Sequence, residues 1–232
     1  MAGANVRPAA GGGRWVDVDP ERLPAWLNRF AVNHGGYRAT AESSASAPQA
    51  PPEGDEALRV VAGDGTTLGL CAPPGAALSR DVEEFVVEAQ RERRIGLLLA
   101  RQASVAVGIA DGPRLVESKV DTYYVQSRTA AGGWSQQRYA RRRTNQARAA
   151  AEGAADQAVR LLLGELDHLA ALVTGGDRRT IEAILADPRL APARPLVAER
   201  FLAVGEPRRA VLEQAAVLAR QVRILVRDPA PM

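Results

Sequence analysis

Gly132-Gly133-Trp134-Ser135-Gln136-Gln137-Arg138-Tyr139-Ala140-Arg141-Arg142-Arg143 is the stretch on which the reading of this chain turns. It couples a glycine pair to an arginine cluster. Small and polar residues precede it, Gln126-Ser127-Arg128-Thr129-Ala130-Ala131, and a helical pattern follows it to about residue 166. A glycine-hinged loop therefore opens directly into a long helix. Ser135 suits the cap of that helix, because its hydroxyl can accept a hydrogen bond from an otherwise orphaned backbone amide. The glycine pair and the lack of bulky apolar anchors predict a mobile loop at 132–137.

The charge of this helix is unusual. A helix N-terminus carries about half a positive charge, so acidic side chains belong there. Arg138, Arg141, Arg142, Arg143 and Arg148 crowd the first turns instead, and no acid occurs between Asp121 and Glu152. Such repulsion is tolerable where an anion docks, and helix N-termini bind phosphate. At about 100° per residue, Arg138, Arg141, Arg142, Asn145 and Arg148 share one face. Ala140, Ala147, Ala151, Ala154 and Ala158 line the other, which would let the helix lie close on a sheet. A charge run alone describes a solvated face. Joined to a glycine loop at a helix start, it points to nucleic acid, with Arg128 on the approach.

Working outward, residues 95–100 and 104–110 are strand-like, and Asp111-Gly112-Pro113 is a turn. Residues 114–125 alternate, with Leu115, Val116, Val120, Tyr123 and Val125 among polar neighbours. Beyond the long helix come a strand at 169–174, a Gly175-Gly176 turn, a helix at 178–186 and a strand at 196–204. A last helix covers 207–226, opened by Pro207. Three antiparallel strands followed by alternating helix and strand give an α/β domain, a mixed sheet covered by helices, over 94–232.

The N-terminal part reads as a small α+β unit over 14–93. Residues 1–13 are Ala/Gly-rich and predict a disordered tail. Residues 14–19 alternate as a strand does. Pro20 opens a helix with Leu23, Trp26, Leu27 and Phe30 on one face, the Trp and Phe as core anchors, and Gly35-Gly36 ends it. Residues 39–57 are rich in Ser, Pro and Ala and predict a flexible loop. Residues 58–62 and 66–71 flank Gly63-Asp64-Gly65 as a hairpin, and 81–93 form a helix with Val82, Phe85, Val86 and Ala89 inward. The unit holds no catalytic constellation.

Composition narrows the class. The 232 residues are 46% apolar, enough for a core, and the net charge is only +3. Lys119 is the only lysine. Arginine and alanine abundance both follow from GC-rich codons, so clustering carries more weight than count. Cys71 is the only cysteine, and His34 and His168 are the only histidines, so neither an internal disulfide nor a Cys/His zinc site can be drawn. We expect no metal and no cofactor. No apolar signal-peptide core opens the chain and no apolar run is long enough to span a bilayer, which predicts a soluble, cytoplasmic monomer without a membrane partner.

The order of elements, with a glycine loop between the third strand and the long helix, resembles the catalytic domain of the eukaryotic and archaeal class-one release factors and Pelota. Those factors carry a Gly-Gly-Gln tripeptide here, soon followed by Arg-Phe-Ala-Arg. This chain has Gly132-Gly133, then Arg138-Tyr139-Ala140-Arg141. Leu169-Ala170-Ala171-Leu172-Val173-Thr174-Gly175-Gly176 is similar to the family's next strand and glycine turn. Trp134 stands where the release factors have glutamine, and glutamines follow as Gln136 and Gln137. The Gly-Trp-Ser-Gln form resembles actinobacterial members of the Vms-like release factors, the branch that acts in ribosome-associated quality control. The resemblance covers about 94–226 and leaves no room for codon-reading or factor-binding domains.

It implies a peptidyl-tRNA hydrolase that frees nascent chains on stalled or split large ribosomal subunits. The catalytic set is then Gln136, Gln137, Gly132, Gly133 and Ser135, with Gln136 favoured because Ser135-Gln136 matches a Gly-Ser-Gln pattern. Trp134, Arg128, Arg138, Arg141, Arg142, Arg143 and Arg148 would contact the tRNA end or ribosomal RNA. Two other readings stay open: a nuclease cutting the tRNA 3′ end with the same loop, and a non-catalytic RNA- or ribosome-binding protein. Tyr139 and His168 read as structural, Cys71 as inert, and Asp121 as an ordinary exposed strand residue.

Overall fold

Residues 5–40, 58–101, 104–122 and 135–229 are described by the computed structural model, the stretch 135–147 as backbone. The chain divides into two compact units, Met1–Glu92 with Ala219–Met232, and Arg93–Leu218.

The first unit is an antiparallel sheet under two helices. Its strands are β1 (Asn5–Pro8), β2 (Arg14–Val18), β3 (Tyr37–Thr40), β4 (Leu58–Ala62), β5 (Thr67–Cys71) and β11 (Val222–Arg227), in the order β1-β2-β11-β5-β4-β3. Alternate residues Val16, Val60, Leu68, Leu70, Ile224 and Val226 face α1 (Leu23–Asn33) and α2 (Val82–Gln90), which contribute Leu23, Leu27, Phe30 and Phe85. The α2 start follows ordinary electrostatics. Asp81 accepts the Glu84 amide at 2.8 Å, and Glu83 and Glu84 occupy the first turn.

Three sequence expectations change here. The last helix, α5 (Arg209–Arg220), does not run to 226, and Val222–Arg227 is a strand between β2 and β5. Residues 219–232 therefore belong with the first unit, not with 94–218. Val222, Ile224 and Val226 are buried on one face and Leu225 on the other, so the Ile224-Leu225-Val226 run shows no alternation that would tell a strand from helix. The supposed tail contains β1, which pairs with β2 across a turn where Gly11, Gly12 and Gly13 all have positive φ. Of the expected flexible loop, residues 39–40 belong to β3 and 41–57 lie outside the described residues.

The second unit is the expected mixed sheet. Its strands β6 (Arg94–Arg101), β7 (Ser104–Asp111), β8 (Arg114–Thr122), β9 (Ala171–Gly176) and β10 (Val197–Leu202) lie in the order β10-β9-β6-β7-β8. β9 is parallel to β6 and β10, while β6, β7 and β8 are antiparallel. One face packs Leu98, Ala100, Val105, Val107 and Ile109 against α3 (Ser135–Leu162) and α4 (Arg178–Leu185). The opposite face takes α5, whose Leu212 Cδ2 lies 3.4 Å from where a Cβ on Gly108 would sit. At the starting end of β6, Arg94 grips Asp111 at 2.8 and 2.9 Å and Glu165 at 2.7 Å, joining β6, β7 and the turn after α3.

α3 has 28 residues, about 42 Å at 1.5 Å per residue, whereas an eight-residue strand spans about 26 Å. Ala154, Ala155, Ala158, Leu161 and Leu162 of α3 are buried. Alanine at this face brings helix and sheet close, as the sequence pattern expects. Ala154 lies about 28 Å along the axis from Ser135, so the packed part of α3 is its second half among the described side chains. Among the described residues, no helix is long and apolar enough to cross a membrane.

Candidate functional site

Strand direction puts the starts of three helices at one end of the second unit. β6, β9 and β10 are mutually parallel and finish together, at Arg101, Gly176 and Leu202. β8 ends at the same edge, because its Thr122 pairs with Ser104, the first residue of β7. α3, α4 and α5 all start from that end, and none of them has an acid in its first turn. Open α/β sheets take their ligands at the carboxyl ends of strands, where such helix starts converge.

The glycine turn after β9 is built tightly. Gly176 has φ +99°, and a Cβ there would run into the Ala100 carbonyl oxygen, far inside van der Waals contact. That approach lets the Asp177 amide donate to the Ala100 carbonyl at 2.7 Å. Thr180 Oγ1 donates to Asp177 Oδ2 at 2.5 Å, which holds the Asp177 carboxyl below its usual range and fixes the start of α4. Arg178 then lies over the Phe201 ring, 4.2 Å from its centroid. Arg101 donates to the Val204 carbonyl at 3.0 Å, and Ser104 Oγ to Glu206 at 3.2 Å. Glu206 also binds Arg208 at 2.7 Å, which lowers its pKa.

The expected site residues divide into three groups. Arg128, Gly132, Gly133 and Trp134, and with them most of the expected mobile loop, lie outside the described residues. Ser135, Gln136 and Gln137 form the first turn of α3, and Arg138, Arg141, Arg142 and Arg143 follow in its next turns, as helical backbone. Arg148 is exposed and pairs with Glu152 at 2.9 Å. An exposed (i, i+4) pair of this kind contributes about 0.3–0.5 kcal/mol, too little to keep Arg148 from a phosphate. Of the residues read as structural or ordinary, Cys71 is buried in β5, His168 is exposed and not packed, Asp121 is half-buried rather than exposed, with Lys119 at 4.0 Å, and the side chain of Tyr139 lies outside the described residues. Among the described residues, no group of three or more His, Cys, Asp or Glu is placed to hold a metal ion.

Sequence reasoning singled out α3 and passed over the other two helix starts. Arg178 and Arg179 open α4, and Arg208 and Arg209 open α5, with Arg101 ending β6 beside them. The signal was the same absence of acids in the first turn. It was weaker there because each carries two arginines, with Asp177 or Glu206 close by.

Two solved structures are similar to parts of the chain. The archaeal translation termination factor aRF1 matches with 13% identity and a TM-score of 0.35, over 55% of this chain and 36% of its own. Dom34 of S. cerevisiae, a translation termination-like factor involved in RNA quality control pathways, matches with 8% identity and a TM-score of 0.33, over 92% of this chain and 66% of its own. The chain thus spans between about a third and two thirds of these proteins. No curated protein matches it. The family of Actinobacteria/chloroflexi VLRF1 release factors matches residues 93–225, which takes in the mixed sheet, the glycine pair, α3 and the three helix starts. By that match over more than half of its length, the chain belongs to the Actinobacteria/chloroflexi VLRF1 release factor family.

Proposed function

We propose that this protein hydrolyses peptidyl-tRNA on stalled or split large ribosomal subunits, freeing the nascent chain. The observation that carries the reading is the family match across 93–225, which contains Gly132-Gly133 immediately before an acid-free helix start at Ser135. The nascent chain is held to the terminal ribose by an ester. Its hydrolysis needs a placed water, donors for the developing oxyanion, and exclusion of competing nucleophiles. The Gln136 carboxamide can accept from the water and donate to the ester without changing charge. Gly132 and Gly133 let backbone approach the ribose closely. Arg138, Arg141 and Arg142 supply phosphate contacts that position without reading sequence, and Trp134 has a ring for stacking on a nucleotide. The ribosome supplies the remaining positioning.

The test is single-turnover release from peptidyl-tRNA on isolated large subunits. Gln136→Ala should melt and bind like the wild type, because substitution of a polar first-turn residue outside the core changes stability within about 0.5 kcal/mol. Its release rate should fall about 10²–10³-fold, the cost of one placed polar group. A fall only in Gln137→Ala moves the role by one residue. Full activity of the double variant removes the side-chain mechanism.

A further inference from the structure

The first unit carries a groove that the release reading does not use. It has a volume of about 310 Å³ and lies between α1 and the sheet, over valines of β1, β2 and β11. Its wall is an aromatic column on α1. Trp26 stacks on Phe30 with ring centroids 5.7 Å apart and planes 5° apart, and Phe30 stacks on His34 at 4.3 Å. The spacing is i, i+4, i+8, and Phe30, 6% exposed, is the buried middle of the column, so the half-buried Trp26 and His34 are the rings a ligand can reach. His34 is fixed from behind, its Nδ1 2.7 Å from Asp64 Oδ2.

The remaining lining is cationic and polar. Arg14, Arg29 and Asn33 line the groove, and among the described residues no carboxylate does. Arg14 pairs with Asp228 at 2.9 Å, both side chains being well exposed, so that pair exchanges readily. Arg29 is exposed and has no partner among the described residues. Asn33 is exposed at the end of the same helix.

We propose that this groove binds an unpaired RNA nucleotide, its base against the Trp26 ring and its phosphate between Arg29 and Arg14. Charge complementarity selects the occupant. The lining asks for a ligand that is flat, apolar on its faces, polar at its edge and anionic. A nucleotide meets all four demands: base faces stack on aromatic rings whatever the base, Asn33 can donate to and accept from a base edge, and guanidinium groups take the phosphate. An apolar peptide would leave both arginines unused. The site is separate from α3 and stands whether or not the 132–137 loop is catalytic.

The test keeps the two RNA-binding faces apart. Arg138→Ala/Arg141→Ala/Arg142→Ala with Trp134→Phe in the full chain serves as the background. The probe is a fluorescein-labelled single-stranded hexanucleotide RNA, followed by anisotropy and by quenching of tryptophan fluorescence. Binding with quenching is expected in the background variant. Adding Arg29→Ala should weaken it about fivefold or more and flatten its salt dependence, and adding Trp26→Leu should abolish the quenching. Thermal melting checks that each variant is folded, and Arg29, exposed and unpaired among the described residues, is the substitution that folding tolerates. The proposal is overturned if RNA gives no quenching in a folded background variant. It is equally overturned if Arg29→Ala and Trp26→Leu bind unchanged, or if an apolar peptide quenches and RNA does not.

Discussion

At the scale of single residues, Gly176 sets the geometry of the turn after β9. Gly176 has a left-handed backbone and no room for a Cβ, which would collide with the Ala100 carbonyl oxygen. Gly176→Ala should therefore cost about 2–3 kcal/mol, combining strain with steric displacement, and a thermal melt would measure it. A variant melting like the wild type would show that the turn relaxes freely. Gly133→Pro is the matching test on the loop, where proline deletes an amide and fixes φ. It should melt like the wild type and lose release activity, whereas an active variant leaves the loop without a catalytic claim. A third residue-level account concerns acid. Arg189 bonds both oxygens of Asp187, at 3.0 and 2.7 Å, and with its amide at 2.9 Å this lowers the Asp187 pKa to about 2. The same guanidinium reaches Asp156 of α3 at 2.8 Å. A depressed folded pKa means stability that is present above the unfolded carboxylate value near 4. It is lost as pH falls from about 4 to about 2. Arg189→Ala should flatten the melting temperature against pH in that window, and an unchanged profile would assign the acid sensitivity elsewhere.

At the scale of elements, α3 joins packing to function. Its second half anchors on Leu98, Ala100 and Val107 through small residues, and its first half carries the arginines. We expect Arg138→Ala/Arg141→Ala/Arg142→Ala to fold normally and to weaken large-subunit binding, with a log–log salt slope shallower by about one for each phosphate no longer held. Unchanged binding at raised salt would show that the face is misassigned. This division of the helix was legible in the sequence, because arginine and alanine positions segregate at a 3.6-residue period. So were β6, β7 and β8: two apolar runs, then Asp111-Gly112-Pro113, then a strand that alternates. β11 was not, because it is buried on both faces and follows α5 after only Gln221. β1 was hidden by a composition of alanine and glycine that suggests disorder, although those glycines supply the positive φ of its turn. Trp26 and Phe30 were legible as core anchors: Phe30 is buried in the core of the first unit and Trp26 packs against that core.

At the scale of the whole molecule, the chain divides into two compact units, each with its own sheet. The second unit gathers three acid-free helix starts at the carboxyl ends of parallel strands, and the family match spans that arrangement. What the sequence could show of the proposed site was its text, Gly132-Gly133 through Arg143. That α3, α4 and α5 each follow a strand ending at the same edge depends on strand direction, which no local pattern encodes. The central claim is that this end of the molecule cuts an ester and leaves RNA whole. The direct measurement is to incubate the purified protein with peptidyl-tRNA on isolated large subunits and to sequence the 3′ ends of the tRNA released. The account predicts free peptide together with tRNA ending in intact CCA; tRNA shortened at its 3′ end, or peptidyl-tRNA left uncleaved by protein that binds the subunit, would contradict it.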